Sequence, residues 1–446
     1  MIKKAYLLAF VMTAVLPLVT AQTSDRVRVR LFSTNKIESI AVSYDLGRYN
    51  LYANQSEILD TTLEEGSTIF LERRGKMVDV STNGHKFGQY TSVQFKATDT
   101  ACILCMNPKG AKQRSYEGNL IVTAGNQGLL LINDVEFETY LAGVAQSEIY
   151  GDKSDIFRIQ ATISRTWALR NINKHKKDGY NFCDDVHCQA YQNRCVRPDI
   201  MLGTIASSGE TLVDSAGNLI ETPFHSNSGG QTANSEDVWR ATLPYLRSVD
   251  DTFSYQMKQS SWSKCFSEAR WLDYFAKNHK IDISNDSLRH ELLTFSQEQR
   301  KSKLLGIPLP RIRIDLKLKS TFFSVSYDSA NHQVTLYGRG YGHGVGLSQE
   351  GAIRMVRLGI SYDSILRHYY TGAIIHKDTS TEHHYVQNYV EQIERIIEED
   401  KQRNTQVKSK KDDWLGRLFR LKDQQEREET YDPAKQEMET DWEYEW

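Results

Sequence analysis

The stretch NDVEFETYLAGVAQSEIYGD, residues 133–152, decides how the chain is read, because the hydrophobic period turns helical there and a carboxylate falls on the apolar side. At about 3.6 residues per turn, Phe137, Leu141, Val144 and Glu148 share one stripe, while Glu136 points to the opposite, wet side. A carboxyl group on such a stripe loses hydration, which disfavours its charged form and raises its pKa toward the range of a general acid. The alternative stays open that Gly151 stops the helix and that a frayed last turn leaves Glu148 in water.

On the N-terminal side, residues 26–123 alternate in short apolar segments such as VRVRLF, ESIAVSY, TIFLERR and NLIVTA, separated by Gly, Asn and Asp. This pattern predicts a β-rich front part. On the C-terminal side a second helix is expected over SDIFRIQATISRTWALRNIN, with Ile156, Ile159, Ile163 and Trp167 on one face and Ser154 as its cap. A hairpin is expected around Ala216-Gly217-Asn218, then a polar insertion near 251–310, strands at RIRIDLKL, FFSVSYD and QVTLYG, and a helix at SQEGAIRMVRLGI. The order predicts a mixed α+β fold: a β-rich part at 26–123, a core at 124–374 interrupted by the insertion, and a charged tail at 375–446. Within the tail, Val386, Tyr389, Val390, Ile393, Ile396 and Ile397 keep the spacing of an amphipathic helix, although a solvated appendage fits the composition too.

The chain of 446 residues is 39% hydrophobic and carries a net charge of −2, with no basic stripe, which argues against a nucleic-acid partner. Its 23 Tyr and 7 Trp suit carbohydrate stacking and ordinary cores alike. Residues 1–21 read as an export signal, with Lys3 and Lys4, an apolar run broken by Pro17, and the small-residue pattern Val19-Thr20-Ala21. The expectation is an exported protein, periplasmic or extracellular and associated with the cell envelope, with no transmembrane anchor after signal cleavage.

Chemistry-bearing residues gather in three places. The segment HKKDGYNFCDDVHCQ offers His175, Cys183, His187 and Cys188, a set suited to a four-coordinate zinc ion. In an oxidising compartment a disulfide among Cys183, Cys188 and Cys195 competes with it, and a local disulfide is expected for Cys102 and Cys105. FHSNSGGQTANSEDVW places His225, Ser226, Ser228 and Thr232 around a glycine pair, without a nucleophile elbow. YGRGYGHGVGLSQEGA is a glycine-rich turn without the ending of a phosphate loop.

Five blocks, NDVEFETYLAGVAQSEI, QATISRTWAL, CDDVHCQAY, FHSNSGGQT with DVW and LPYLRSV, and GHGVGLSQEGA with SYDSILRHYYTG, resemble in order the successive motifs of the SpoIID/LytB family. The resemblance covers about Arg26 to Gly372 and omits the tail. It implies a peptidoglycan lytic transglycosylase that cleaves MurNAc–GlcNAc bonds of glycan strands, with Glu148 as catalytic acid and base; Ile149 stands where the family more often has Met. It also implies a structural zinc at His175, Cys183, His187 and Cys188, and a substrate cleft lined by Gln189, Tyr191, Ser226, Ser228, His343 and Gln349. Three alternatives remain: a hydrolase with a second carboxylate among Asp184, Asp185, Glu236 and Asp237; a non-catalytic peptidoglycan binder that activates a cell-wall amidase; and a thiol hydrolase using Cys188 with His187 or His343.

Overall fold

The computed structural model describes residues 26–378 apart from 55, 56, 64, 65, 100, 101 and 240, together with Glu394. The expected export signal and the expected tail helix lie outside the described residues, Glu394 excepted. No described helix is long and apolar enough to cross a membrane.

The alternating front part folds into two antiparallel sheets. One has seven strands, in the order Phe182–Cys183, Arg26–Leu31, Gly128–Glu136, Asn119–Gly125, Ser92–Ala97, Tyr49–Ala53 and Glu57–Leu63, with only Phe182–Cys183 added in parallel. The other has six: Arg114–Glu117, Ile103–Pro108, Ser39–Leu46, Thr68–Arg74, Met77–Ser81 and Lys86–Tyr90. Every second residue points inward, as a two-residue period requires, so Val27, Val29 and Leu31 of one sheet join Val42, Leu71 and Val80 of the other in one apolar core.

The decisive stretch is part strand and part helix. Gly128–Glu136 continues the sheet, and the helix α1 occupies Phe137–Glu148, ending three residues before Gly151. It is not amphipathic: every residue from Phe137 to Ala145 is buried, Glu138 included. The reason is its position between two cores. Phe137, Tyr140, Leu141 and Val144 complete the front core, while Ala142 and Ala145 face a second one built from Ile156, Ile159 and Ile163 of the helix α2, Ser154–Arg170, and from helices Pro198–Ala206, Gln349–Arg357 and Tyr362–Tyr369. Gly143 is required by closeness, since a Cβ there would lie 2.4 Å from the Tyr191 ring. Ser154 is the first helical residue rather than the cap; Lys153 takes that position without a side-chain bond.

The polar-looking insertion has a core of its own. Strands Ser261–Ser267, Gln333–Arg339 and Phe322–Asp328 form an antiparallel sheet, and helices Glu268–His279 and Asp286–Thr294 lay Trp271, Phe275 and Leu292 on its side chains Phe323 and Leu336. Ser267 and Asn285 cap these helices through their side chains. RIRIDLKL is not a strand: Leu309–Asp315 is a helix whose first turn holds Pro310. Buried Ile312 and exposed Ile314 alternate there, but over so few residues one helical turn gives the same alternation as a strand. Ser261 pairs with Arg339, and Gly340 N donates to Ser260 O at 3.0 Å, so this segment leaves and rejoins the chain at one place.

Candidate active site

Glu148 is the last residue of α1, and the chain turns extended immediately after it at Ile149. Its Oε1 accepts a hydrogen bond from the Ala190 backbone N–H at 2.6 Å, and Oε2 has no partner among the described residues. Burial raises the carboxyl pKa above the ordinary Glu value, the Ala190 N–H opposes that shift, and the nearby Asp185 charge adds to it. The carbonyl of Glu148 accepts from Gln349 Nε2 at 3.0 Å across 201 residues of sequence. Gln349 Nε2 also lies 3.3 Å from Gln160 Oε1, and its helix is capped by Ser348, whose Oγ accepts from Gly351 N. The last turn of α1 is thus pinned from both sides rather than frayed.

The other residues expected at a cleft divide into two groups. Gln189 and Tyr191 are 3% and 0% exposed, so their side chains line no open surface. Tyr140 donates to Gln189 Oε1 at 3.1 Å, Tyr191 donates to Asn133 Oδ1 at 3.1 Å, and these bonds fix the backbone on either side of Ala190. Ser228 is fully buried, its hydroxyl 2.7 Å from Asp251 Oδ2 and 2.9 Å from Ser254 Oγ. Ser226 and His343 are partly exposed, and Ser226 O accepts from Glu350 N. His343 Nδ1 accepts from Val345 N at 3.1 Å; burial, then Arg313, push its pKa down to about 4. Two contributors have no side-chain signature in the sequence: the Ala190 N–H, and Glu350, fully buried, which accepts from Tyr150 OH, Asn227 Nδ2 and Gln259 N. The Glu350 bond to exposed Tyr150 anchors the chain just beyond Glu148.

The four alternative carboxylates differ in availability. Asp184 is 2% exposed and consumed by Arg114, by Ser33 and by the Phe32 N–H. Glu236 pairs with Arg247, which holds it down at about 2, and Asp237 accepts from Asn234. Asp185 alone acts electrostatically on Glu148.

His175, Cys183, His187 and Cys188 place one ligand atom each within 4.8 Å of one another. Cys188 Sγ lies 3.5 Å from His175 Nε2 and 3.7 Å from His187 Nδ1, and Cys183 Sγ lies 3.6 Å from His187 Nδ1. Tetrahedral zinc, with Zn–S about 2.3 Å and Zn–N about 2.0 Å, requires S···N separations of about 3.6 Å, so the donor set fits. All six cysteines are free; the disulfides expected among Cys183, Cys188 and Cys195 and between Cys102 and Cys105 are not formed. The Cys102 thiol instead donates to Arg48 O at 3.1 Å. A Cys188–His343 pair has no support in these contacts, since Cys188 meets His175 and His187, and the His343 ring lies tilted against Trp239 and His225.

Residues 125–213, which hold α1, α2 and the Cys/His cluster, match the family described as SpoIID, stage II sporulation protein. The chain is 25% identical to the stage II sporulation protein D of Bacillus subtilis over 260 residues, 55% of this chain and 75% of that protein. It is 23% identical to an uncharacterised protein of Brachyspira hyodysenteriae over 361 residues, 78% of this chain and 92% of that one. With a B. subtilis protein named amidase enhancer it shares 26% identity over 291 residues, 53% of this chain but only 40% of that protein. The matched segment carries the site itself, and it is there that the chain is similar to the SpoIID and amidase-enhancer proteins.

Proposed function

We propose that this protein is an exported lytic transglycosylase that cleaves peptidoglycan glycan strands between MurNAc and GlcNAc. The observation that carries the reading is Glu148: a carboxyl group with a burial-raised pKa, one oxygen held by a backbone N–H and, among the described residues, the other unpartnered and no cation beside it. Protonated Glu148 gives its proton to the glycosidic oxygen as the C1–O bond breaks, and the bonding electrons leave with the GlcNAc O4 as a hydroxyl. The muramyl C1 carries oxocarbenium-like charge. The carboxylate, steadied by the Ala190 N–H, then takes the proton from the muramyl C6 hydroxyl as O6 closes on C1. A 1,6-anhydro ring forms, no water is consumed, and Glu148 ends protonated as it began. One carboxyl group suffices, in keeping with Asp184, Glu236 and Asp237 being engaged elsewhere.

The Cys/His cluster is assigned a structural role: His175, Cys183, His187 and Cys188 would hold zinc, which would cross-link the segment leading into Gln189 and Ala190. Four protein donors fill a tetrahedral site and leave no position for a reacting water.

The test is mass spectrometry of fragments released from glycan strands. Anhydromuramyl ends that disappear in Glu148→Gln support the transglycosylase; reducing ends point to hydrolysis with Asp185 as the partner. A second reading follows from the relative named amidase enhancer: strands bound without any fragment released would favour a non-catalytic activator of an amidase.

A further inference from the structure

Four cations stand together beside the loops that reach Glu148, and among the described residues none of them forms an ion pair. Arg300 donates from Nε to Gln231 O at 2.6 Å, from Nη1 to Thr321 Oγ1 at 3.0 Å and from Nη2 to Ser228 O at 2.6 Å. Arg339 donates to Gln297 O and Glu298 O, and Arg313 to Lys319 O. Exposed Lys319 holds its Nζ 5.7 Å over the Tyr341 ring. Arg300 and Arg339 crowd one buried ring, at 4.7 Å and 3.8 Å from the Phe322 centroid; burial, then Arg339 and Arg313, lower Arg300 to about 9. Cations gathered on neutral oxygens are costly, and a carboxylate brought to them gains from all of them at once. Apolar rings stand open beside the charges. Trp239 and Tyr341 are each 43% exposed, and Trp239 lies 5.1 Å from the His343 ring, on which Arg313 acts.

The same chain carries a segment of matching chemistry. From Glu437 to Trp446 the sequence EMETDWEYEW alternates without a break: Glu437, Glu439, Asp441, Glu443 and Glu445 are acidic, and Trp442, Tyr444 and Trp446 take the places between and after the last of them. A period of two sends carboxylates to one side of an extended segment and rings to the other. No Lys or Arg lies within it. The patch is within its reach. Asp378, whose N–H donates to Gly209 O at 3.0 Å, is tied to the body, and about 60 residues separate it from Glu437. Their extended contour is on the order of 200 Å, against a radius of gyration of about 20 Å for a body of this size. A segment joined covalently to its site meets it at an effective concentration on the order of 1 mM, so an intrinsic Kd of about 0.1 mM suffices to fill the site about nine-tenths of the time.

We propose that this patch is the docking surface for the chain's own segment 437–446, whose carboxylates pair with Arg313 and Lys319 and whose rings lie against Trp239 and Tyr341. The partly buried Arg300 and Arg339 add their field from behind. The connection to the site is short: Arg300 packs on Gly344, where a Cβ would lie 3.0 Å from its guanidinium carbon; Ser228 N donates to Ser348 Oγ, and the next residue, Gln349, holds the Glu148 carbonyl. The chain thus carries a cover for its own site, held by charge and loosened by salt. Docking stands independently of the glycan reading; only the consequence that a docked segment keeps strands away from Glu148 rests on that reading.

The test is cross-linking of the full-length protein with a water-soluble carbodiimide, which joins an amine to a carboxylate in contact with it, read by mass spectrometry on a mixture of ordinary and heavy-nitrogen-labelled protein. A link from Lys319 to a carboxylate of segment 437–446 within single molecules is expected, and its yield should fall about tenfold in Arg313→Ala and at high salt. A second measurement uses the full-length variant combining Glu439→Gln, Asp441→Asn, Glu443→Gln and Glu445→Gln. A synthetic EMETDWEYEW peptide should bind it with a Kd of about 0.1 mM, and bind the unaltered protein about tenfold more weakly, because the resident segment competes. Links from the segment to Lys408, Lys410 or Lys411 in place of Lys319 overturn the proposal, since the acidic end is then neutralised by its own neighbours in sequence. Links found only between labelled and unlabelled copies overturn it in favour of a second copy as occupant. A peptide that binds both proteins equally, or neither, overturns it too. Release of strand fragments is read separately: faster release by the four-fold variant supports the cover, whereas an intact Lys319 link with no fragments from either protein keeps the docking and removes the glycan reading.

Discussion

α1 carries a glutamate near each end, one buried and one partly buried, and they are handled in opposite ways. Glu138, in the first turn, is 4% exposed and accepts from Nε and Nη2 of Arg165, 2% exposed, at 3.1 Å and 2.6 Å; Arg165 Nη1 in turn donates to Ser207 and to the Glu210 carbonyl. Glu148, in the last turn, receives one backbone N–H and, among the described residues, no cation. The first arrangement is a buried ion pair that ties α1 to α2. The second leaves a proton negotiable, because nothing nearby strongly prefers the anion. Burial without a counter-ion is not the whole difference, since Glu350 is buried without one and is held by three donors; Glu148 differs in having an oxygen that no described residue bonds.

This contrast breaks or sharpens in four measurements. The largest effect is expected on cleavage: Glu148→Gln should lower the rate by on the order of 10²–10⁴, while Glu138→Gln acts chiefly through folding. The second is on stability, where Glu138→Ala strands Arg165 in the interior and should cost about 3–5 kcal/mol, read by urea denaturation. Glu148→Gln should do the reverse. A carboxyl whose folded pKa is raised weakens the fold when ionised, so the variant should melt higher at neutral pH. That advantage should shrink as pH falls through the raised folded value and vanish below the unfolded one. The third is chelation, expected to lower the melting temperature before activity per folded molecule declines, as a cross-link near Ala190 requires. The smallest is Asp185→Asn: with its charge gone the Glu148 pKa falls, and the alkaline limb of the pH–rate profile should move to lower pH by a fraction of a unit.

The front sheets were readable because their side chains alternate, and α2 because three isoleucines keep one face. Glu148 was found on a partly mistaken argument. The stripe through Phe137, Leu141 and Val144 is real, but the helix is buried on its other faces too, since two cores enclose it, and periodicity registers only one. Nothing in the local sequence marks Glu138 as buried, because its partner Arg165 lies on another helix. Gln189 and Tyr191 belonged to the right motif, yet their contribution is to hold a backbone N–H in place, which no side-chain pattern discloses. The insertion looked polar because its third core is small and its outer faces are charged; its helices were concealed by short lengths and by the ambiguous alternation around Ile312.

The place where Gly340 N meets Ser260 O at 3.0 Å has a consequence for how such a protein can change. A module whose two ends touch can be lengthened, exchanged or excised at one seam, with Ser260 joined to Gly340, without shifting the register of the strands around it. Arg300, Arg313, Lys319 and Arg339 all lie within that module, whereas Glu148, Ala190 and Gln349 lie outside it. Changes of length or sequence within the module are therefore confined to one stretch of chain and leave the residues around the Glu148 carboxylate where they are.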